Sequence, residues 1–551
     1  MTADRLRRWW ATLHPTPTGR RVPGTAVVAI VSLLLMYGLS LYVIGHGANM
    51  WYSDALSHLT IARRIVDSKA PGFQQLGTVW LPMPHLLLLV FVQNLWLWYT
   101  GWGAALLGML CFAATSAAIW RTAARLGLGL GTRMIPVLVL WTSAGFLYAH
   151  TTALTEPVLI ASMAGILAGL THWAVSERDM SGGEIAVYIG VPAAVGVLSR
   201  YEGWVMALSA ALFIVIVDWP RRRGTTPHPL RFTLLRRVLP ALSAPAVGVV
   251  WWLAYNYALY GNPLEFMFGQ YSAFAQQQAI SEYGSLTTKG HPGLSLYVYT
   301  WSAWEVIGGV TFVIGLLGFA WLVWRQGMST ATLIVGVSLS TFVFEVLSLS
   351  LGQSVMNNDH SLPTGLFNVR YGVAGLLFFA LGAGFAAEAL RRALTRVRHP
   401  LGALAAPAVA VALIAQLGWW AQDPVDRNPM IGEGAYNQSK RPDAAAVYLR
   451  DHYQGGGILM DESASSSGII PLVQQPIREY WNRSTGDLFE EAMDSPRTHA
   501  EWIFVNTQDT GGVNLDGRDA VYQRMLDHPQ DYAGYVRVFA TDTHAVYHLA
   551  W

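Results

Sequence analysis

The sequence predicts a polytopic α-helical membrane protein of about eleven spans that ends in a soluble α/β domain. Three observations carry this reading. First, 53% of the 551 residues are hydrophobic and only 13% charged, with a mean hydropathy of +0.34, well beyond what a soluble chain carries. Second, apolar runs of spanning length recur between polar loops. Third, the charges segregate: 19 of the 34 acidic residues but only 10 of the 36 basic ones lie after Ala421, leaving that tail a formal charge of −9. The overall charge of +2 argues against a nucleic-acid binder. The single cysteine, Cys111, sits in an apolar run, so no intramolecular disulfide is possible. Lys69, Lys289 and Lys440 are the only lysines, a bias that fits a GC-rich bacterial genome.

Residues 1–23 form a basic segment (Arg5, Arg7, Arg8, Arg20, Arg21) ahead of an apolar run from about Thr25 to Ile44. No convincing cleavage site follows, so this reads as a retained first span with a cytoplasmic N-terminus. Residues 24–420 then form the membrane body, with external loops at 47–103, 148–157, 199–204, 255–300 and 352–370. Leu86–Trp98 is apolar but interrupted by Gln93-Asn94, and is short of the roughly 20 residues a crossing needs, so it reads as re-entrant or interfacial. Later spans end at arginine clusters: Arg121, Arg125 and Arg133; Arg221-Arg222-Arg223; and Arg391, Arg392, Arg396 and Arg398. Twenty Arg and Lys residues fall in segments assigned to the cytoplasm and six in external loops before the tail, as the positive-inside rule requires. The tail, 421–551, is then external. Its periodicity predicts a helix over 441–452, strands over 457–460 and 501–506, and a closing hairpin over 534–539 and 543–549. The stretch Asp461-Glu-Ser-Ala-Ser-Ser-Ser467 reads as a solvated turn, with a binding loop as the alternative.

The polar chemistry gathers in the external loops. Met50–His85 holds Asp54 and His58 four residues apart, on one face of a predicted helix, followed by Arg63, Arg64 and Asp67. Asp54 also suits a plain helix start, where a carboxylate favours the positive end of the dipole. Glu156 closes the second loop, and Pro157 after it equally suits the first turn of a helix. Arg200, Tyr201 and Glu202 meet the membrane where positive charge is otherwise scarce; they suit a phosphate grip, a surface ion pair or an interfacial anchor. Arg370 ends the 352–370 loop directly before a span, with His360, Asn368 and Tyr371 close in sequence. Single histidines such as His58, His150 and His360 are more often structural than catalytic. There is no GxGxxG, Walker loop, HExxH or cysteine-based metal motif.

The aspartate after the first span, the short helix with Ala62-Arg63, the Pro71-Gly72 turn and the Trp80-Leu-Pro-Met-Pro84 restart resemble the first external loop of GT-C glycosyltransferases. The likeness is to the family-39 type, the protein mannosyltransferases and aminoarabinose transferases, and it covers roughly residues 20–420. It implies an inverting transfer of a sugar from a polyprenyl-phosphate carrier to an acceptor hydroxyl of a glycan, lipid or protein, at the outer face of the plasma membrane. On that resemblance Asp54 is the catalytic base and Glu156 stands where the family carries an acidic residue; Glu156 with His58 would contact substrate or a metal, and the need for cations at the departing phosphate assigns that role to Arg370 with Arg200. His360, Asn368, Tyr371, Glu202 and Tyr201 would form the substrate loop. Some GT-C enzymes use Mg or Mn; Ala55 stands where many relatives carry a second acid, so no metal ligand set is assigned. The rival readings are a transporter or flippase of lipid-linked sugars, which tends to carry charge within its spans, an O-antigen ligase or polymerase, which usually lacks a large soluble tail, and a sensory or structural membrane protein.

Overall fold

The structure, a computed structural model, describes residues 16–221, 230–270, 272–283, 287–463, 468–508 and 518–550. The arginines expected to mark the cytoplasmic side at Arg5, Arg7, Arg8, Arg222 and Arg223 lie outside the described residues, as do positions 464–467 of the Asp461 turn.

Among the described residues, eight helices are long and apolar enough to cross a membrane: Thr25–Gly45, Trp102–Arg125, Glu156–Val175, Leu230–Tyr260, Gly309–Gln326, Thr330–Leu351, Val369–Val397 and His399–Gln422. The three other expected crossings fall on Leu130–Thr142, Gly182–Val197 and Glu202–Arg221. Leu130–Thr142 breaks at Ser143 and resumes as Ala144–Ala149. Leu86–Trp98 forms no continuous helix of spanning length: it lies in two short helices, Met83–Leu89 and Leu95–Tyr99, the second capped by the Asn94 side chain. Outer helices present bare apolar surface, as at Val27, Leu34 and Tyr42, each more than 60% exposed. Such faces are stable only against lipid.

The centre of the bundle is the Val369–Val397 helix, most of which is buried. It crosses Gly309–Gln326 at very short range, because Gly315 and Gly318 face Gly382 with no side chain between them. A Cβ at Gly382 would lie 2.2 Å from the Gly315 carbonyl oxygen. Small residues at a crossing let backbones approach and are the usual basis of tight packing between helices in lipid.

The tail folds as expected into a small α/β unit. Helix Asp443–His452 leads to a five-stranded sheet of β1 Ile458–Met460, β2 Tyr480–Trp481, β3 Trp502–Asn506, β4 Tyr535–Ala540 and β5 His544–Leu549. The order is β2-β1-β3-β5-β4, parallel across β2-β1-β3 and antiparallel beyond, so the predicted hairpin forms one edge. The two-residue β2 was not anticipated, being too short to show a period. Asp461 is fully buried. It receives Arg483 at 2.6 and 2.8 Å and the Ala520 amide at 2.9 Å, so it braces the sheet instead of opening a solvated turn.

The tail is docked on the first polar loop. The Gln75 side chain donates to the Ser484 carbonyl at 2.8 Å, the Ile477 amide donates to Asp67 at 3.3 Å, and Arg64 pairs with Glu462 at 3.4 Å.

Candidate active site

Four polar segments meet at one end of the bundle because each caps the same end of alternate helices. The Ser53–Arg64 helix carries Asp54 in its first turn; Glu156 begins Glu156–Val175; Arg200 and Glu202 stand at the start of Glu202–Arg221. Arg370 sits in a 3₁₀ turn, Val369–Gly375, at the head of the central helix. The turn follows Asn368, whose φ of 56° is a left-handed conformation that asparagine tolerates better than most residues.

Arg370 is the hub. It is 4% exposed, and its Nη2 donates to Asp54 Oδ2 at 2.5 Å while its Nε donates to Glu156 Oε1 at 3.1 Å. Arg200 approaches the same Glu156 oxygen through Nη1 at 3.1 Å and donates from Nε to Glu202 at 2.7 Å. The Tyr371 ring lies beneath both cations, 4.5 Å from the Arg200 guanidinium and 5.3 Å from that of Arg370. Burial opposes the charged guanidinium of Arg200, but Glu202 and Glu156 outweigh it and hold the group above the ordinary arginine range. The Asp54 side chain is 34% exposed, against 5% for Arg370 and 4% for Glu156. Asp54 is therefore the open edge of an otherwise enclosed ion network.

The Ser53–Arg64 helix has no side-chain cap from its own N-cap residue, and the Ser53 amide donates instead to Asn437 of the tail at 3.3 Å. The carboxylate points to Arg370.

Of the other residues singled out from sequence, His58 lies one layer behind. Its Nδ1 meets His85 Nε2 at 2.9 Å and its ring packs edge-on against Trp80. Burial, and then the fields of Arg370 and Arg200, depress His58 to about 3, so it is neutral at physiological pH. Asn368 acts through its backbone and its side-chain bond to the Val355 carbonyl, 2.9 Å. The structure does not bring Tyr201 or His360 into the network. Tyr201 stacks on Phe266 with centroids 5.3 Å apart, and His360 packs on Trp301 at 4.4 Å and meets the Tyr297 hydroxyl at 3.2 Å. His150 Nδ1 donates to the Phe146 carbonyl at 2.7 Å within an aromatic cluster.

Two residues of the network escaped sequence reasoning. Glu345, on Thr330–Leu351, is 2% exposed and hydrogen-bonds Glu202. It lies within an apolar helix and not in the external loops where the sequence gathers its polar chemistry, and its only signal was one acid within an apolar run. Glu433 comes from the tail, on helix Pro429–Lys440. It accepts from the Tyr52 hydroxyl at 2.8 Å, the Asn368 amide at 2.7 Å and the Val369 amide at 3.0 Å. It thus caps the turn that holds Arg370. Burial pushes the Glu433 carboxyl up from its usual value, against the pull of Arg370, Tyr52 and the Asn368 amide. Burial, then Glu433, also raises Tyr52, keeping its hydroxyl a donor. The close approach needs Gly434, where a Cβ would sit 2.8 Å from the Tyr148 hydroxyl and 3.1 Å from the Tyr52 ring.

Arg370 stands between Asp54 and Glu156, in the position a bridging cation would take. Among the described residues no group of three or more His, Cys, Asp or Glu side chains is arranged to hold a metal ion.

The helical body thus carries its polar loops together at one end, with the small α/β tail docked over them. Among solved structures, ArnT from Cupriavidus metallidurans bound to undecaprenyl phosphate aligns over 94% of this chain and 98% of its own, at 13% identity and a TM-score of 0.55. The same protein in its apo state aligns over 100% and 98%, at 12% identity and a TM-score of 0.51. An Archaeoglobus fulgidus oligosaccharyltransferase tethered to an acceptor peptide aligns over 96% of this chain and 74% of its own, at 10% identity and a TM-score of 0.47. At these identities the likeness to ArnT is one of fold. No family model and no curated protein sequence matches the chain.

Proposed function

We propose that the protein is an inverting glycosyltransferase that moves a sugar from a polyprenyl-phosphate carrier to an acceptor hydroxyl. The N-terminus is cytoplasmic in this reading, and the site and tail face outward. The observation that carries it is the convergence of Asp54, Glu156, Arg200 and Arg370, from four separate loops, on one partly open ion network. The fold shared with ArnT, whose structure holds undecaprenyl phosphate, supports a lipid-linked donor.

The donor phosphate takes the Arg370 contact that Asp54 holds in its absence. Arg200, engaged by Glu156 and Glu202, keeps Glu156 and hence the Arg370 fork in register. Released from Arg370, the Asp54 carboxylate accepts the acceptor's hydroxyl proton. The acceptor oxygen then bonds the anomeric carbon as the carbon–oxygen bond to phosphate breaks, and polyprenyl phosphate departs with that electron pair. Arg370 stabilises the charge that develops on the leaving group. A single displacement inverts the anomeric centre, and no step requires a metal.

Asp54→Asn tests this. The amide keeps the size but cannot take the proton, and general base catalysis contributes about 10²–10⁴-fold. The variant is expected to fold, to bind donor and to turn over at least a hundredfold more slowly. Near-normal turnover in a folded variant would move the base elsewhere.

A further inference from the structure

The end of the bundle opposite Asp54 holds a basic pocket that sugar transfer does not use. Glu202 begins a helix of 20 residues, about 30 Å long at 1.5 Å per residue. Toward its far end Asp218 accepts a hydrogen bond from Thr233 of the following helix. Between that helix and the 178–182 segment lies a cavity of about 280 Å³ lined by Arg178, Asp179, Phe232, Arg236 and Arg237 among others.

We propose that this pocket binds the phosphate headgroup of an anionic phospholipid in the leaflet opposite the candidate active site. Three arginines stand there against two carboxylates, Asp179 in the lining and Glu184 behind Arg178, so it retains a positive excess. Arg237 is 7% exposed; it donates to the Met180 carbonyl at 2.6 Å and pairs with Asp179 at 3.1 Å, yet its Nε is buried without a partner. Arg178 is held from the other side by Glu184, through Nη1 at 2.9 Å. Arg236 is exposed beside them. Arg236 and Arg237 sit in a π-helical turn, Leu234–Val238, a local widening that is rare in helices and frequent at functional sites.

The surroundings select a lipid over a free anion. Leu234, Leu235 and Leu239 are 42%, 61% and 56% exposed on the same stretch. Acyl chains would cover this rim while the phosphate meets the guanidinium groups. Basic pockets between helices at the cytoplasmic surface are a recurrent recognition mode for anionic headgroups.

The test uses the full chain purified in detergent and titrated with phosphatidylglycerol or phosphatidylcholine, with retained lipid counted by native mass spectrometry. Phosphatidylglycerol should be retained in preference. Arg236→Ala should weaken it about fivefold, the effect of one arginine near a charged membrane surface. Arg178→Ala with Arg236→Ala should abolish the preference, and Arg236→Lys should restore most of it. Thermal stability and transfer rate should stay at wild-type values in Arg236→Ala, which separates this site from the proposed chemistry. Equal retention of the two lipids by the wild type, or undiminished phosphatidylglycerol retention in the double variant, would overturn the proposal. So would displacement of bound phosphatidylglycerol by millimolar inorganic phosphate, which would assign the pocket to a free anion.

Discussion

Arg370→Lys separates a phosphate-binding arginine from a merely structural one. The guanidinium serves two carboxylates at once, Asp54 at 2.5 Å and Glu156 at 3.1 Å, from two different nitrogens. Lysine keeps the charge but offers one compact ammonium, so it cannot hold both and present a fork to phosphate. A hydrogen bond to a charged group contributes about 1.5–3 kcal/mol, which corresponds to a rise in donor KM of roughly ten- to a hundredfold. Arg370→Ala is the harsher variant, because stripping one partner from a buried pair costs about 3–5 kcal/mol and endangers the fold. Arg63 is the control. It is equally buried, but it donates to Asp67 at 2.7 Å and to the Val92 carbonyl at 2.7 Å, and lies 5.2 Å from the Trp98 ring, all within the first loop. Arg63→Ala should therefore lower the melting temperature and leave donor KM unchanged. The assay is transfer by purified protein at varied polyprenyl-phosphate sugar, beside a thermal melt of each variant. Wild-type donor KM in a folded Arg370→Lys protein, or an equal rise from Arg63→Ala, would refute the assignment.

Glu433→Ala leaves the Tyr52 hydroxyl and two backbone amides unpaired, at about 1–3 kcal/mol for each buried orphan. It should reduce turnover sharply by loosening Arg370, while Glu433→Gln, which keeps an acceptor, should recover part of the rate; full activity in the alanine variant would remove Glu433 from the site. His58 titrates at about 3 in the fold, below its ordinary value near 6.5, so acid favours the unfolded chain, which binds the proton first. Its share of stability should fall as the pH drops below about 6.5, and His58→Gln should flatten the acid limb of a melting-temperature profile. Parallel profiles for the two proteins would contradict the burial argument. A cytoplasm-only reporter fused after Trp551 should stay silent, since an active fusion would reverse the proposed orientation.

What could be read from the sequence follows from whether the signal was local. Apolar runs, arginine-terminated spans and the alternation in the tail are properties of short windows, and the long apolar helices, β1 and β3 to β5 fall where those windows place them. Asp54, Glu156, Arg200 and Arg370 stood out because charge is rare beside spans, and that scarcity is itself a physical cost. Tyr201 and His360 stood out for their neighbours in sequence alone, and each proves to be held by aromatic packing.

Glu433 was invisible for the opposite reason. It is one acid among the nineteen of an acidic tail, and nothing within its own window distinguishes it from a solvated charge. Its partner Tyr52 is 381 residues away, and its other contacts are backbone amides, which carry no sequence signature. Helix Pro429–Lys440 also supplies Asn437 to the Ser53 amide, so one short helix outside the membrane body caps both the segment bearing Asp54 and the segment bearing Arg370. A tail read from composition as a separate soluble domain is thus, at its Pro429–Lys440 helix, a wall of the site. The two halves of the ion network are fixed relative to one another by a part of the chain that neither half could specify.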